Sequence, residues 1–182
     1  MTTAANDRAV FFDRDGVLNI SEVRQGRPYA PRTLDAFHIV PDAAHALHRV
    51  KAAGYRAIVT TNQPDVGNGL VARQEVDAMH HLLRSTLPVD DIRACFHSQS
   101  EGCTCRKPAP GMLYEASDAW RLDLTKCFMV GDRWSDIAAG KTAGCRTVFI
   151  DHGYTEPNEE TPSASVKALD AAVDWILANK IL

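Results

Sequence analysis

The sequence predicts an α/β fold in which helices flank a doubly wound, mainly parallel β-sheet. Five short apolar runs, rich in β-branched and aromatic residues, lack the polar alternation of a half-exposed strand, as buried parallel strands do. Stretches with helical spacing separate these runs, and such a βαβα alternation is typical of Rossmann-like sheets. The 182 residues, of which 45% are hydrophobic and 24% charged, fit a single domain that spans residues 1–182.

The elements are predicted in chain order from these runs. The predicted strands are residues 9–12 (AVFF), 55–60 (YRAIVT), 92–97 (IRACFH), 126–130 (KCFMV) and 145–150 (CRTVFI). The predicted helices are residues 41–54, 71–87, 110–122, 134–144 and 164–182. The first helix opens with Pro41 and Asp42 and closes on Gly54, as helix termini commonly do. A short extended piece is expected at 37–40, and the Pro- and Glu-rich stretch 152–164 is predicted to be a loop.

The charge, the N-terminal stretch and the cysteine content argue against several classes of protein. A formal net charge of -3, with scattered Lys and Arg residues, gives no basic field for nucleic acid. The N-terminal stretch MTTAANDRAVFF lacks the apolar core of a signal peptide, and no apolar run approaches the roughly 20 residues that span a bilayer. We therefore expect a cytoplasmic protein without a membrane or nucleic-acid partner. Five cysteines do not form a regular disulfide framework.

Polar and charged residues follow the predicted strands at four places. The segments are DRDGVLN (13–19), TTNQ (60–63), CRKPAPGM (105–112) and VGDRWSDI (130–137). Each segment alone is more often a turn than a site. Together they bring a group of side chains to one rim of the sheet, because ligands of parallel sheets bind at the carboxyl ends of the strands. This group consists of Asp13, Asp15, Thr61, Lys107, Asp132 and Asp136.

The composition of this rim predicts phosphoryl-transfer chemistry. Oxygen-only, carboxylate-rich ligation suits a hard cation such as Mg²⁺. With such a cation present, one aspartate can attack phosphorus as a nucleophile while another protonates the leaving oxygen. Lys107 and Thr61 would then hold the equatorial oxygens of the phosphoryl group.

A second candidate metal site lies in the stretch CFHSQSEGCTC, residues 95–105, which we call the zinc loop. It supplies Cys95, His97, Cys103 and Cys105 as two close-spaced pairs of soft ligands. Such a set suits one tetrahedral Zn²⁺ in a closed structural site. The alternative is a reduced cysteine cluster with a surface histidine.

The ordered motifs DRDGVLN, TTNQ, RKP and GDRWSD resemble those of the haloacid dehalogenase superfamily of phosphatases. The resemblance implies that Asp13 forms a phosphoaspartate and that Asp15 acts first as general acid and then as general base. It also implies that Mg²⁺ is held by Asp13, by the backbone carbonyl of Asp15 and by Asp132, with Asp136 in support. Thr61 and Lys107 would stabilise the phosphoryl group.

A finer resemblance is to the heptose bisphosphate phosphatases and the similar histidinol-phosphate phosphatases, which carry a zinc loop before the third motif. The gaps between motifs leave no room for an inserted cap domain, so a capless enzyme is expected. Substrate specificity should then come from loops. The expected substrate-binding residues are Ser21, Glu22, Val23, Arg24, Asn62, Gln63, Pro64, Arg106 and Arg133. The resemblance implies hydrolysis of the 7-phosphate of D-glycero-D-manno-heptose 1,7-bisphosphate, with a small phosphorylated sugar as partner and a monomer as one plausible state.

Several departures from the heptose enzymes leave alternatives open. Pro64, Asp65 and Asn68 replace the usual Ser-Gly and Arg-Gly positions after TNQ, Arg133 replaces the usual lysine, and the zinc loop is short. Histidinol phosphate or another sugar phosphate is therefore the alternative substrate. The non-enzyme alternatives are a receiver-like switch, which would lack an acid two residues after its phosphorylated aspartate, and a zinc-bearing interaction module with an inactive core.

Overall fold

The computed structural model of the protein describes residues 7–157 and 159–180, and its main feature is a six-stranded parallel sheet. The sheet order is β5-β4-β1-β6-β7-β8, and a separate antiparallel pair is formed by β2 and β3. The strands are β1 (Ala9–Phe12), β2 (Glu22–Arg24), β3 (Arg27–Tyr29), β4 (Arg56–Asn62), β5 (Asp91–Cys95), β6 (Phe128–Gly131), β7 (Arg146–Ile150) and β8 (Ala164–Val166). The predicted α/β class with a mainly parallel sheet is confirmed.

Six α-helices lie in the described part of the chain. They are α1 (Ala43–Ala52), α2 (Pro64–Gly67), α3 (Arg73–Thr86), α4 (Gly111–Trp120), α5 (Trp134–Ala143) and α6 (Leu169–Ala178). Short 3-10 turns occur at Leu34–Ala36 and Leu124–Lys126. None of the helices within these described ranges is long and apolar enough to cross a membrane.

The alternation of side chains along β1 explains why the sheet is covered on both faces. Val10 and Phe12 point into the core beneath α1, α3 and α6, whereas Ala9 and Phe11 point into the core beneath α4 and α5. All four side chains are fully buried. A strand without a polar face is stable only between two apolar layers, which is the doubly wound arrangement.

Two local elements differ from the sequence prediction. Residues 164–166, which helical spacing assigns to the final helix, form β8 and pair with β7, so that the helix begins at Leu169. Three residues are too few to show the alternation of a β-strand, so the helical spacing of the adjacent apolar segment dominates the prediction. Residues 22–29, expected to be a loop, form the hairpin of β2 and β3, whose turn is at Gln25 and Gly26, both with positive φ.

Candidate active site

The carboxyl ends of the three central strands meet at one edge of the sheet. Phe12 of β1 lies beside Val59 of β4 and Val130 of β6, so the residues that follow these positions share one rim. The order of strands reverses at β1, and parallel sheets bind ligands at such switch points. The structure therefore brings the four predicted motif segments together here.

Asp13 lies at the centre of this rim. Its side chain is 10% exposed, and its Oδ1 accepts a hydrogen bond from the Arg14 amide at 2.7 Å. Lys107 Nζ lies 3.0 Å from the same oxygen. Burial, followed by the nearby charge of Asp136, raises the pKa of Asp13 to about 7, although Lys107 opposes this shift. The charged form of Asp13 thus depends on positive charge at the site.

Lys107 supplies part of that positive charge from a fixed position. Its Nζ contacts Asp13, lies 2.6 Å from Asp136 Oδ1 and donates to the Thr60 carbonyl at 2.7 Å. Burial alone lowers the pKa of Lys107, but the two carboxylates outweigh it and raise the pKa above its ordinary value. The ammonium group is therefore charged and fully occupied by three oxygens.

Asn62 holds the backbone that carries Lys107. Its Nδ2 donates to the Lys107 carbonyl at 2.9 Å, and its Oδ1 accepts from the Lys107 amide at 3.0 Å. Both polar atoms of the Asn62 amide are thereby used within the protein. Although Asn62 lines the cleft, as predicted, its contacts assign it a role in positioning Lys107.

Asp132 and Asp136 differ in how their oxygens are used. Asp136 contacts Lys107 through Oδ1 and accepts from the Arg133 amide at 3.1 Å through Oδ2, which completes the N-terminal cap of α5. Neither oxygen of the buried Asp132 accepts a hydrogen bond of ordinary length from a described residue, although the nearby Tyr154 hydroxyl acts to lower its pKa. Burial, with the charges of Asp13 and Asp136, raises the pKa of Asp132 well above its ordinary value.

This arrangement fits a hard divalent cation. Oxygens of Asp13, Asp132 and Asp136 lie within 4.8 Å of one another. A buried carboxylate with unpartnered oxygens carries a large energetic penalty, which a bound Mg²⁺ would remove. Asp132 beside Asp13 therefore suits direct ligation, whereas Asp136 has already committed its oxygens to Lys107 and the helix cap.

Two glycines make the close approach of these acids possible. A Cβ on Gly16, whose φ is +83°, would lie 1.9 Å from Asp132 Oδ2. A Cβ on Gly131 would lie 2.2 Å from the Asp136 Cβ. No larger residue fits at either position without displacing an acid of the site.

Asp15 lies beside Asp13 and opens to the cleft, its side chain 14% exposed. Gln63 Nε2 donates to Asp15 Oδ2 at 2.7 Å and to the Thr61 hydroxyl at 2.8 Å. Thr61 is fully buried and does not line the cleft. Its hydroxyl therefore reaches the rim through Gln63.

A cleft of about 470 Å³ opens above these acids. Of the expected substrate-binding residues, Ser21, Asn62, Gln63, Pro64, Arg106 and Arg133 line it. Glu22, Val23 and Arg24 lie outside its lining, because they form the outer strand of the hairpin, where Arg24 pairs with Glu22. The hairpin instead turns Arg27 and Tyr29 toward the cleft.

The arginines of the cleft are not equally available to a ligand. Arg133 is held by Glu156, with its Nε 3.0 Å from Oε2, and Arg32 is held by Asp65 at 2.8 Å. Arg106 has a buried Nη1 without a hydrogen-bond partner in the described chain. Arg106 therefore keeps a donor that is not used within the described chain and could bind an anion.

Sequence reasoning missed several of these residues, among them Arg27, Arg32 and Glu156. None of them belongs to a recognisable motif. Glu156 reaches the site because its loop is anchored by a hydrogen bond of 2.9 Å from the Thr155 amide to the Gly26 carbonyl. The neighbouring His152 ring lies 2.8 Å from the Gly16 carbonyl. Only the folded chain reveals these contacts.

The zinc loop brings its four predicted ligands into one cluster. Cys105 Sγ lies 3.1 Å from Cys95 Sγ, 3.5 Å from Cys103 Sγ and 3.3 Å from His97 Nδ1. Cys95 Sγ lies 3.6 Å from Cys103 Sγ and 3.5 Å from His97 Nδ1. Bonds of about 2.3 Å from sulfur to a tetrahedral Zn²⁺ would place the ligand atoms about 3.8 Å apart. The cluster therefore fits Zn²⁺ after a small expansion.

Comparisons with known proteins agree with this geometry. Residues 104–174 match the family described as "HAD-hyrolase-like". A D-glycero-beta-D-manno-heptose-1,7-bisphosphate 7-phosphatase of Rhodopseudomonas palustris is 34% identical over 157 residues, which cover 79% of this chain and 84% of that protein. The enzyme of the same name from Pseudomonas aeruginosa is 33% identical over 79% of this chain and 81% of its own length.

The fold is also similar to solved structures. The crystal structure of D,D-heptose 1,7-bisphosphate phosphatase from B. bronchiseptica, complexed with magnesium and phosphate, has a TM-score of 0.78 and 26% identity. The similarity covers 94% of this chain and 99% of that one. A HAD-like phosphatase from Mesorhizobium loti has a TM-score of 0.73 and 26% identity, with 93% and 87% of the two chains covered.

Proposed function

The chain belongs to the haloacid dehalogenase (HAD) family of phosphatases, and from that premise we propose that it hydrolyses the 7-phosphate of D-glycero-D-manno-heptose 1,7-bisphosphate. The names of its relatives support this choice of substrate. The observation that carries the mechanism is the buried contact of Asp13 with Lys107 beside the unpartnered carboxylate of Asp132.

Asp13 is the proposed nucleophile. Its carboxylate oxygen forms a bond to phosphorus while the bond between phosphorus and the ester oxygen breaks. Asp15 donates a proton to the leaving sugar oxygen. Asp15 then takes a proton from the water that attacks phosphorus, so that inorganic phosphate leaves and Asp13 is regenerated. Lys107 favours the ionised form of Asp13 and offers positive charge where the phosphoryl oxygens gather.

The proposed ligands of Mg²⁺ are Asp13, Asp132 and the backbone carbonyl of Asp15, with Asp136 supporting them through Lys107. When bound, Mg²⁺ would neutralise the negative charge that the acids and the phosphoryl group bring together. The acids alone cannot accept a phosphate, because three buried carboxylates repel it. Lys107 offsets only part of that charge.

The zinc loop has a proposed structural role. Zn²⁺ would join Cys95 at the end of β5 to Cys105, which directly precedes Arg106 and Lys107. The Thr104 carbonyl accepts from the Gly111 amide at 3.1 Å, so the same loop also meets the start of α4. A bound Zn²⁺ would therefore fix the segment that carries Arg106 and Lys107, two of the cationic residues of the cleft.

The non-reacting phosphate of a bisphosphate has a proposed partner in Arg106. Arg106 lines the same cleft as Lys107 and Asp13, and its buried Nη1 has no hydrogen-bond partner among the described residues. Binding a remote phosphate helps catalysis when it orients the reacting one. Arg133 contributes only when its ion pair with Glu156 opens, since both groups of the guanidinium fork are engaged there.

Steady-state kinetics on a panel of phosphate esters tests the proposed substrate. The wild-type enzyme should show a higher kcat/KM for the heptose bisphosphate than for histidinol phosphate or the matching monophosphate. Arg106→Ala should lower kcat/KM by roughly 100-fold for the bisphosphate, as loss of a charge-assisted phosphate contact does, and much less for a generic ester. The matched control is Arg49→Ala, because Arg49 lies on α1 outside the cleft and pairs with Asp174.

Two outcomes would contradict the proposal. A kcat/KM for histidinol phosphate equal to or above that for the bisphosphate would make histidinol phosphate the better assignment of the substrate. An equal loss on all esters in Arg106→Ala would mean that Arg106 does not recognise the second phosphate.

A further inference from the structure

Arg14, between the two aspartates of the first motif, is a buried charge with no assigned role. Its side chain is 0% exposed. A guanidinium group is seldom fully buried, because its desolvation is costly unless hydrogen bonds and an opposite charge compensate for it. The position of Arg14 therefore has to be explained by its partners.

The partner that accounts for its charge is Asp15. Arg14 Nε lies 3.2 Å from Asp15 Oδ1, and Nη2 lies 2.9 Å from Oδ1 and 3.1 Å from Oδ2. The guanidinium thus approaches the carboxylate as a planar fork, a geometry that lysine cannot reproduce. It fixes the plane of the carboxyl group as well as its location.

Two amides complete the environment of the Asp15 carboxylate. Asn19 Nδ2 donates to Oδ1 at 3.1 Å, and Gln63 Nε2 donates to Oδ2 at 2.7 Å. Both oxygens therefore accept from two side chains, Oδ1 through three donor atoms and Oδ2 through two.

Two further residues, His80 and Phe37, contact Arg14. Its Nη1 lies 3.2 Å from His80 Nε2 on α3, and its guanidinium lies 5.2 Å from the centre of the Phe37 ring. Since guanidinium can only donate, His80 Nε2 must be the acceptor and the ring must be neutral. Burial, together with the charge of Arg14, lowers the pKa of His80 to about 4, which keeps the ring neutral at neutral pH.

We infer that Arg14 is a positioning residue for the phosphatase reaction: its forked contact holds the Asp15 carboxyl group in the orientation needed to exchange a proton at the cleft. His80 and Phe37 hold Arg14 in turn. The chain of contacts runs from α3 to the reacting proton without touching the substrate. The inference rests on the proposed role of Asp15 as general acid and base.

The dependence of kcat/KM on the leaving group distinguishes positioning from simple structural support. An alkyl phosphate needs a proton on its leaving oxygen, whereas p-nitrophenyl phosphate releases a stable anion without one. Arg14→Met should lower kcat/KM for an alkyl phosphate by about 100-fold, within the range lost with a general acid, and that for p-nitrophenyl phosphate by less than about tenfold. Arg14→Lys should fail to restore kcat/KM for the alkyl phosphate, because an ammonium group cannot make the forked contact.

Two further variants make the result decisive. Asp15→Asn should show the same selective loss, with a larger amplitude. Arg146→Met is the control for lost packing, because Arg146 is partly buried against Phe128 and Trp175 far from the rim and should leave the ratio of the two kcat/KM values unchanged. Circular dichroism and thermal melting would show that each variant is folded.

The outcomes separate the two levels of the hypothesis. If Asp15→Asn lowers kcat/KM equally for both substrates, the proposed acid role of Asp15 is wrong. If Asp15→Asn is selective but a folded Arg14→Met lowers kcat/KM equally for both substrates, or for neither of them, Arg14 does not position Asp15. If Arg14→Met does not fold, His80→Leu gives the test, since it removes the support of Arg14 and should produce a smaller selective loss.

Discussion

Replacing Lys107 by Met should both stop turnover and destabilise the fold. The methionine side chain fills much of the lysine volume but removes the ammonium group, which contacts Asp13, Asp136 and the Thr60 carbonyl. Since the Lys107 side chain is only 1% exposed, water cannot replace those contacts.

The size of the effect follows from this burial. Removing one partner of a buried ion pair costs about 3–5 kcal/mol, because the remaining charge is left uncompensated. For a chain of this length each kcal/mol lowers Tm by about 2–4 °C, so a decrease of about 10 °C is expected.

The loss of stability in Lys107→Met should also depend on pH. Without Lys107 the raised pKa of Asp13 rises further, so the folded state binds a proton that the unfolded state does not. Its stability therefore falls as the pH rises from about 4 through the folded-state pKa, and levels off above it.

Urea denaturation at about pH 5 and about pH 8, without added metal, measures this difference. The destabilisation relative to wild type should be greater at the higher pH. Lys141→Met is the matched control, because Lys141 pairs with Glu160 at 2.7 Å but is 47% exposed, and its loss should cost less than about 1 kcal/mol. A Lys107→Met variant that unfolds as late as this control, at either pH, would refute the structural reasoning.

Three further predictions concern the rim. Gly16→Ala should lower turnover strongly, because its methyl group would collide with Asp132, and unchanged kcat with unchanged Mg²⁺ affinity would contradict this. Elemental analysis should find about one Zn²⁺ per chain, and Cys103→Ser should lose the metal together with thermal stability; full stability of a zinc-free preparation would argue against a structural site. Glu156→Gln should release Arg133 and lower KM for a bisphosphate by several-fold more than for a monophosphate, and equal KM changes would show that the pair does not limit binding.

The sequence was sufficient for the features that depend on local pattern. The continuous apolar runs identified five strands of the sheet, and the acids that follow them in DRDGVLN and GDRWSD lie at the shared rim, because register places the strand ends together. The four zinc-loop ligands lie within eleven residues, so their proximity was also visible before folding.

The features that were missed depend on contacts between distant segments. No local pattern predicts the burial of Arg14, and one of the residues that contact it, His80, lies 66 positions away on α3. Glu156 lies 23 positions beyond Arg133 in a loop without regular structure, and no local pattern predicts their ion pair.

Asn62 illustrates a different limit. The sequence places it at or just past the end of a strand, and it is the last residue of β4, but an amide there can face either a ligand or the protein. The position of Asn62 beside the Lys107 backbone decides between these two roles, because both of its hydrogen bonds go to Lys107. Residue type and position identify the site, whereas the assignment of each polar atom requires the structure.

The most direct test of the covalent mechanism is a single turnover of p-nitrophenyl phosphate by Asp15→Asn, quenched with acid and followed by peptide mass spectrometry. This leaving group departs without a proton, whereas breakdown of the intermediate needs the missing base, so the phosphorylated enzyme should accumulate. We expect nitrophenol release to be matched by a phosphoryl group on the peptide that contains Asp13. Stoichiometric nitrophenol release with no phosphoryl group on Asp13 would contradict its role as the nucleophile.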